Sequence, residues 1–425
     1  MHNKEYALKL VQNKILGLNN YSYAEIANLS GYKVLQIKRF AKLLKKKDID
    51  SILTHGLTNK PSNNSVSLRE IEFIKQFKNQ YPYISISQFR DIYHEDIIFN
   101  SKMKQIVKEY ELKVRSYSFF KNLYIKFNWK SPINHKKMSK ESEKHPLREP
   151  SPSRGILIMI DGTPHDWFGN GQKWSLHLAI DDATDEILCG WFMPTECLYG
   201  YAKLLYLLIT LHGIPEILYS DRISILISSN QEELTQFGLI CKDLGVTQIA
   251  ALSPEAKGKV ERMNNTIQNR LLNDIKRYNI KTYEQLNEWF NSFYKNYINK
   301  KFAYKPKNNK SFFVPIGKTN LEYIFCTRYE RKMLDGQVIS YKNHYYKIID
   351  KDGNTKDIFR GSSVTVYENI FSGNVYAKYY GKFYATHKIE DKITTAEKRR
   401  LTRIENQKQL EQVLKEREQR LKLKN

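Results

Sequence analysis

The sequence predicts a multidomain protein: N-terminal all-α helix-turn-helix units, an α/β part with a mixed sheet, a small C-terminal β-barrel and a charged helical tail. Its 425 residues suffice for about three domains of ordinary size, and a hydrophobic content of 41% can fill their cores. Apolar residues recur at helical spacing before residue 128, and short apolar strands alternate with helices after residue 155. Beyond residue 335, glycine-containing turns separate short strands.

Residues 1–57 are predicted to form a first helix-turn-helix unit. Residues 23–31 and 32–44 are predicted as two helices joined by a turn at Gly31. The apolar residues expected to build the core are Ile26, Leu29, Leu35, Ile37, Phe40 and Leu43. The polar residues left facing outward, as a DNA recognition helix requires, are Lys33, Gln36, Lys38 and Arg39. We therefore expect this unit to bind DNA, although many small helical pairs have the same pattern without that role.

Residues 58–128 are predicted to form a second helical, DNA-binding unit. After a polar connection, Ser67 and Glu70 have the spacing of a capping box at the start of a helix. Further helices are expected near residues 86–93, 101–111 and 118–127, the last as a candidate recognition helix. Residues 129–154 are basic and contain four prolines, so this stretch is predicted as a linker.

Residues 155–300 alternate short strands with helices. Strands are predicted at residues 156–160, 175–180, 187–193, 216–220 and 246–252, with helices after the third, fourth and fifth. Asp161 and Asp221 each follow one of these strands directly. If the first and fourth strands are neighbours, both carboxylates reach the same edge of a mixed sheet. An aspartate at a strand end is more often a turn residue, which is the plainer interpretation of each one alone.

The helix after the last strand brings a third carboxylate. Ser253 is a suitable N-cap and Pro254 suits the first turn. Glu261 lies beside the apolar stripe of this helix. The residues of that predicted stripe are Val260, Met263, Ile267, Leu271 and Ile275. An ordinary amphipathic helix with a solvated glutamate has the same pattern, so Glu261 gains its significance from Asp161 and Asp221.

Three carboxylates in one place repel each other, and bound divalent cations explain such a cluster. Two Mg²⁺ or Mn²⁺ ions about 4 Å apart, held by Asp161, Asp221 and Glu261, would activate an attacking water or 3′-hydroxyl and stabilise the leaving oxygen at a phosphodiester. The net charge of +24 and the pI near 9.5 favour nucleic acid as the partner over a membrane surface. The four cysteines lack metal-ligand spacing, which argues against a zinc module and for a reducing cytosol.

The remaining sequence has three predicted parts. Residues 301–324 form an extended basic connection. Residues 325–389 form a small β-barrel whose alternating tyrosines and lysines would suit contact with a DNA backbone, although a plain barrel surface explains them nearly as well. Residues 390–425 form a charged helical tail with too few leucines for a coiled coil.

Four motifs resemble the integrase-core transposases of bacterial insertion sequences, in particular the ISNCY-type group, which is related to retroviral integrases. They begin at Asp161 (DGTPHDWF), Ala179 (AIDDAT), Tyr219 (YSDR) and Ser253 (SPEAKGKVER). The resemblance implies an RNase H-like catalytic core, cleavage of DNA at the ends of the element and joining of those ends to target DNA. It assigns the acidic trio to catalysis and to metal binding.

Basic residues around Glu261 are predicted to contact DNA phosphates near the scissile bond. They are Lys257, Lys259 and Arg262, with solvated side chains as the alternative for the two lysines. Asp182 is expected to shape the turn between two strands, so that an asparagine there would cost little. His165 and Asp166 are expected either to contact metal or DNA or to form a local turn.

The predicted function is that of a transposase that binds the terminal inverted repeats of its element, cleaves DNA and joins the 3′ ends to target DNA. A homo-oligomer assembled on DNA and a cytoplasmic, nucleoid-associated location are expected. The sequence contains no run of about 18 apolar residues, so a membrane partner is not expected. Two alternatives stay open, a structure-specific RNase H-like nuclease and a DNA-binding regulator with an inactive core. The long N-terminal recognition region argues against the first, and the intact carboxylates argue against the second.

Overall fold

The computed structural model describes residues 4–53, 65–132, 149–230, 233–251, 258–389 and 395–422; in the last range, side chains are described for residues 403–416. The chain divides into two compact units, residues 1–82 with 89–120 and residues 83–88 with 121–425. The predicted helix start at Ser253 and Pro254, and the predicted phosphate contact of Lys257, lie outside the described residues. Among the residues that are described, no helix is both long enough and apolar enough to cross a lipid bilayer.

The first unit begins with α1 (Lys4–Ile15), α2 (Tyr23–Ser30), α3 (Val34–Leu44) and α4 (Ile49–Leu53). The Ser22 hydroxyl accepts a hydrogen bond from the Glu25 N–H, and the Glu25 carboxylate accepts one from the Ser22 N–H in return, which caps α2. Gly31 ends α2 with a φ of 75°, a left-handed conformation that glycine adopts without strain. Two helices joined by a short turn at Gly31 are therefore present where the sequence predicts them.

Half of the core predicted for these helices is wrong. The residues buried as predicted are Ile26, Ile37 and Phe40. The residues found between 42% and 65% exposed are Leu29, Leu35 and Leu43. The apolar surface that replaces them comes from α1, whose buried residues are Ala7, Leu8 and Val11. Each helix of the bundle thus buries only the stripe that faces its neighbours.

A second helical group contains α5 (Leu68–Asn79), α6 (Ile86–Ile92), α7 (Lys104–Glu109) and α8 (Tyr117–Lys126). Ser67 caps α5 by accepting a hydrogen bond from the Glu70 N–H, as predicted. Glu70 does not complete the predicted capping box, because its carboxylate is fully buried and accepts a hydrogen bond of 2.8 Å from the Arg115 Nε–H. Breaking a buried ion pair of this kind is costly, so Glu70 ties α5 to the segment that precedes α8.

The second unit contains a five-stranded mixed sheet. Its strands are β1 (Leu157–His165), β2 (Trp174–Asp181), β3 (Ile187–Met193), β4 (Ile217–Ser220) and β5 (Thr247–Ala250), in the order β3-β2-β1-β4-β5. β1, β2 and β3 pair antiparallel, while β4 pairs parallel with both β1 and β5. The mixed sheet predicted from the sequence is confirmed, and the first and fourth strands are neighbours, which is the condition for bringing Asp161 and Asp221 to one edge.

β1 is longer than the sequence predicts. Its pairing with β2 continues to His165 opposite Trp174, so Asp161 lies inside the strand rather than after its end. The residues after Ile160 interrupt the apolar run, but their backbone still forms the ladder, which a hydrophobicity pattern does not detect. Asp221 directly follows β4, as predicted.

Helices cover both faces of this sheet. On one face, α9 (Leu198–His212) and α10 (Gln236–Leu244) pack against Ile158 and Leu218. On the other, α11 (Gly258–Arg277) packs against Met159. All five residues of the predicted apolar stripe of α11 are buried, and none is more than 6% exposed. The orientation of α11 predicted from its periodicity is therefore confirmed.

The outer edge of β3 is covered by helix side chains instead of another strand. The covering segment consists of α12 (Tyr283–Trp289), a π-helical turn (Phe290–Tyr294) and α13 (Lys295–Phe302). The side-chain amides of Asn287, Asn291 and Asn299 each exchange two hydrogen bonds with the backbone of Phe192, Gly190 and Ile187, respectively. Each amide replaces the donor and the acceptor of a neighbouring strand, so this edge is protected from pairing with another chain.

The C-terminal region contains a six-stranded antiparallel sheet. Along the chain, α14 (Leu321–Ile324) precedes its strands and the tail helix α15 (Thr395–Lys422) follows them. Its strands are β6 (Cys326–Lys332), β7 (Val338–Tyr341), β8 (His344–Ile349), β9 (Ser363–Asn369), β10 (Val375–Tyr379) and β11 (Lys382–Ile389), in the order β6-β9-β10-β11-β8-β7. Ile339, Ile348 and Val366 are fully buried in its core. No ladder in the described residues joins β6 to β7, so the hydrogen bonding of the predicted barrel does not close there.

Candidate active site

Asp161 lies in β1, and Asp221 directly follows β4, the parallel neighbour of β1. β1 and β4 pair with Met159 opposite Tyr219. Continuing this register by two residues brings Asp161 close to Asp221, because neighbouring strands lie about 4.8 Å apart. Side chains alternate along a strand, so Asp161 points to the face on which Met159 packs with α11. Both aspartates are partly exposed.

The Tyr201 hydroxyl on α9 lies close enough to Asp161 and Asp221 for their charges to affect its pKa. Burial raises the pKa of this hydroxyl strongly; its hydrogen bond to Glu196 and the charges of Glu196, Asp161 and Asp221 raise the pKa further. A Cβ at Gly162 would stand 2.6 Å from Glu196 Oε1 and 2.9 Å from the Tyr201 hydroxyl oxygen. The glycine after Asp161 therefore leaves room for a further carboxylate directly behind β1.

α11 presents a polar stripe to the edge of β1. Asn264 Nδ2 donates a hydrogen bond of 2.7 Å to Asp161 Oδ2, and Gln268 Nε2 donates one of 2.9 Å to Thr163 Oγ1. Glu261 lies three residues before Asn264 and seven before Gln268, which places it on the same side of the helix. Its side chain is exposed. The stripe therefore directs Glu261 towards the side of the sheet that carries Asp161.

Asn264 is a site residue that the sequence motifs did not single out. It is 5% exposed, and its carbonyl oxygen Oδ1 is buried without a hydrogen-bond partner among the described residues. A buried acceptor left unsatisfied costs about 1–3 kcal/mol, so a donor supplied by a ligand, such as a metal-bound water, would stabilise the site. The available sequence signal was the spacing of three residues from Glu261, which puts both side chains on one helix face.

The acidic trio is not gathered into a metal site in this structure. Within the described residues, no group of three or more His, Cys, Asp or Glu side chains lies close enough together to hold a metal ion. The donor set nevertheless fits a divalent cation, because carboxylate and amide oxygens are the ligands that Mg²⁺ and Mn²⁺ prefer. The exposed side chain of Glu261 would have to move towards Asp161 and Asp221 to complete the set.

Asp182 does more than shape a turn. It is fully buried, and its Oδ2 accepts hydrogen bonds from the Ser151 N–H at 2.7 Å and from the Ser151 hydroxyl at 2.9 Å. Its Oδ1 lies 3.4 Å from the Lys259 ammonium. The neighbouring Asp181 is also buried and accepts a hydrogen bond of 2.9 Å from the Gly155 N–H; burial raises the pKa of its carboxyl. The turn after β2 thus joins the preceding linker and α11 to the sheet.

The residues predicted to bind DNA differ in exposure. Those on and just before α3 are exposed as predicted: Lys33, Gln36, Lys38 and Arg39. Arg262 is also exposed. The Lys259 side chain is only 13% exposed and lies 3.1 Å from Asp185 Oδ1. Burial alone lowers the pKa of Lys259, but the Tyr304 hydroxyl and the charges of Asp182 and Asp185 raise it above its ordinary value, so this residue is a cation.

His165 and Asp166 have partners in a local turn. Asp166 accepts hydrogen bonds from the backbone N–H groups of Asn170 at 3.1 Å and Gly171 at 2.8 Å. The His165 ring lies edge-on against Trp167, and burial lowers its pKa. These contacts agree with the turn role, which was one of the two alternatives for this pair.

Comparison with known proteins identifies relatives among insertion-sequence transposases. The chain is 32% identical over 255 residues to the transposase for insertion sequence IS1202 of Streptococcus pneumoniae, a match that covers 58% of this chain and 54% of that protein. It is 33% identical over 185 residues to the putative transposase y4bF of Sinorhizobium fredii, which covers 42% of this chain and 40% of that protein. The chain thus spans about half the length of the curated relatives it matches. No protein-family model matches it.

Solved structures that resemble parts of the chain include two viral integrase structures. The HTLV-2 integrase catalytic core domain in complex with magnesium is 18% identical, matched over 32% of this chain and 85% of that chain, with a TM-score of 0.26. The simian T-cell lymphotropic virus intasome in complex with PP2A regulatory subunit B56 gamma is 13% identical over 67% of this chain and 92% of that chain, with a TM-score of 0.31. These likenesses are too distant to assign an activity. The sequence relatives, in contrast, confirm the resemblance to insertion-sequence transposases that the motifs predict.

Proposed function

We propose that this protein is a DDE transposase, which cleaves DNA at the ends of an insertion sequence and joins the 3′ ends to target DNA. The observation that carries the proposal is the position of Asp161 in β1 and of Asp221 directly after its parallel neighbour β4, with Asp161 bonded to the polar stripe of α11 that contains Glu261. Relatives that are named as transposases support it. The proposal includes an RNase H-like core, action on DNA in the cytoplasm and assembly of several copies on the DNA.

The carboxylates of Asp161, Asp221 and Glu261 are proposed to hold two Mg²⁺ ions, or Mn²⁺ in their place. Bound ions would supply an activated water or 3′-hydroxyl nucleophile and charge stabilisation for the leaving oxygen. Asp161 and Asp221 offer adjacent oxygen ligands from two strands, and Glu261 adds one from the facing helix. Asn264 restrains Asp161 through their hydrogen bond and offers its unsatisfied Oδ1 to a donor. One site can serve cleavage and joining, since water in the first and a 3′-hydroxyl in the second would attack a phosphodiester, and in each the bond to a 3′-oxygen breaks.

Recognition of the element ends is proposed to lie in the N-terminal helices. The exposed side chains available for it are Lys33, Gln36, Lys38 and Arg39. A helix with this outer face can enter the major groove, where Gln and Arg bind base edges and Lys neutralises phosphates. The net charge of +24 supports a polyanionic partner. Arg262 and Lys257 are proposed to contact phosphates near the scissile bond.

The proposal is tested with the full chain, labelled duplexes that carry the terminal repeats of the element, and a target plasmid. We expect cleavage at the repeat ends and joining of 3′ ends to the plasmid in Mg²⁺ or Mn²⁺, and neither product in EDTA. Affinity for the repeats should exceed affinity for random DNA by at least about tenfold, or about 1.4 kcal/mol. Cleavage without joining would favour the structure-specific nuclease. Repeat binding without any cleavage would favour the DNA-binding regulator.

A further inference from the structure

Lys259, near the start of α11, is held inside the protein instead of extending into solvent. Its ammonium lies 3.1 Å from Asp185 Oδ1 and 3.4 Å from Asp182 Oδ1. It also donates hydrogen bonds to the Tyr304 hydroxyl at 2.9 Å and to the Asp182 carbonyl oxygen. An ammonium group has three donors, so these contacts leave none for a DNA phosphate.

The acceptors around Lys259 are fixed by the rest of the fold. Asp182 is fully buried and bonded to Ser151. The Tyr304 hydroxyl donates a hydrogen bond of 3.0 Å to Asp185 Oδ1, and the Tyr304 N–H donates one of 2.9 Å to the carbonyl oxygen of residue 184. Asp182, Asp185 and Tyr304 therefore form a socket, the Lys259 socket, from segments other than α11.

Lys259 and Asn264 attach α11 to the sheet at two levels. Asn264 bonds to Asp161 inside β1. Lys259 reaches the turn after β2, which lies near the beginning of β1 because the two strands are antiparallel. Glu261 lies between the two attachments in the first turns of the helix. Each helical residue advances about 1.5 Å and turns about 100°, so loss of the Lys259 attachment would let the turn that carries Glu261 rotate or fray.

We propose that Lys259 is a positioning residue: by filling the Lys259 socket, it holds the first turn of α11 so that Glu261 can join Asp161 and Asp221 at the metal. Lys259 is then not the phosphate contact that the sequence predicted. The link to metal binding rests on the proposed function. The attachment itself can be measured without any activity.

The test compares Lys259→Met, which keeps an unbranched side chain without its charge, with Lys259→Arg and with Lys295→Met as a matched control. Lys295 is also a buried lysine, but its Nζ donates to the Leu188 carbonyl oxygen on β3. In Lys259→Met, cleavage should fall about ten- to hundredfold and half-maximal cleavage should need more Mg²⁺, because a displaced ligand costs this much. The salt dependence of DNA binding should not change. Lys259→Arg should restore part of the loss, and Lys295→Met should leave the Mg²⁺ requirement unchanged.

Amide hydrogen exchange of the full chain, without DNA or metal, measures the attachment directly. Lys259→Met and Asp185→Asn should each accelerate exchange in residues 258–263 by about threefold or more, since both loosen the same turn. The double variant should exchange no faster than Lys259→Met alone, because the two side chains act through one contact. Lys295→Met should not accelerate exchange in this segment.

Unchanged exchange in residues 258–263 of Lys259→Met would overturn the proposal. So would a Lys259→Met protein with a normal Mg²⁺ requirement and a salt slope of DNA binding lowered by about one, which is the behaviour of a phosphate contact. If the wild-type protein cleaves no DNA in any divalent metal, the proposed function fails, whereas the exchange rates still decide whether Lys259 holds α11.

Discussion

Two pairs of aspartates lie in or next to strands of the central sheet, and their surroundings differ. Asp181 and Asp182, at the end of β2, are fully buried, and groups from other segments bond to their oxygens. Asp161 and Asp221 are partly exposed; Asp161 lies in β1 and accepts a hydrogen bond from α11, and Asp221 directly follows the neighbouring strand β4. In the sequence, the members of both pairs stand at the end of a predicted strand, so their positions alone do not distinguish them.

The difference in burial and hydrogen bonding indicates which of these aspartates are candidates for metal binding and which stabilise the fold. A fully buried carboxylate that accepts hydrogen bonds from distant segments holds those segments together. Two partly exposed carboxylates near each other repel, and a divalent cation bound between them would reduce that repulsion. Proteins tolerate such local conflict mainly where function requires it. The comparison therefore separates variants that abolish chemistry from variants that reduce stability.

Removing the charge of a proposed ligand should have the largest effect. Asp161→Asn, Asp221→Asn and Glu261→Gln keep size and most hydrogen bonding, but each should lower cleavage by about a thousandfold or more because the metal loses a ligand. DNA affinity should stay near normal, since recognition is proposed to lie in the N-terminal helices. The measurement is cleavage of a labelled end duplex in Mg²⁺ beside a gel-shift assay. Near-normal cleavage by any of these variants would remove that residue from the site.

Asn264→Ala should have an intermediate effect, because it removes a hydrogen bond to Asp161 but no charge. Residues that orient a metal ligand typically contribute about ten- to hundredfold, so cleavage should fall by that factor with a higher Mg²⁺ requirement. Asn265→Ala is the matched control, since Asn265 is the next residue and is exposed. If both variants cleave at the wild-type rate, Asn264 does not orient Asp161.

Local periodicity predicted the parts of the site that lie within one element. The apolar stripe of α11 follows from the helical repeat, and it fixed the side of the helix on which Glu261 lies. The extent of β1 does not follow from such a pattern. Residues 161–165 lack an apolar run and belong to the strand only because β2 pairs with them.

Contacts between distant segments could not be predicted. The Asp182 carboxylate binds Ser151, 31 residues earlier, and Lys259 binds the Asp182 carbonyl oxygen, 77 residues earlier. No local spacing specifies such pairs, so Asp182 was expected to be a simple turn residue and Lys259 a phosphate contact. The exposure of Leu35 has a similar cause, because α1 supplies the apolar surface that this leucine was expected to provide.

Asp182 should differ from the site acids, because its loss should lower mainly the stability of the fold and should lower cleavage only through the Lys259 socket. Asp182→Asn removes the charge opposite Lys259 and puts an NH₂ group in place of one acceptor oxygen. The free energy of unfolding should fall by about 1–3 kcal/mol, measured by urea denaturation. Cleavage by the folded protein should fall no more than in Lys259→Met, and therefore far less than in Asp161→Asn. An unchanged free energy of unfolding would restore the simple turn interpretation.

The smallest effect is expected at Asp166, although it lies only five residues after Asp161. Its two oxygens each accept a hydrogen bond from a backbone N–H group, of Asn170 and of Gly171. Asparagine keeps one of these bonds, and water can replace the other because both bonds are exposed, unlike those of Asp182. Asp166→Asn should therefore change cleavage by less than about twofold and the free energy of unfolding by less than about 0.5 kcal/mol. Both are measured beside Asp161→Asn, which has the same change of side chain. A loss of cleavage as large as that of Asp161→Asn would place Asp166 among the metal ligands, and partial exposure near β1 would then no longer distinguish a turn acid from a site acid.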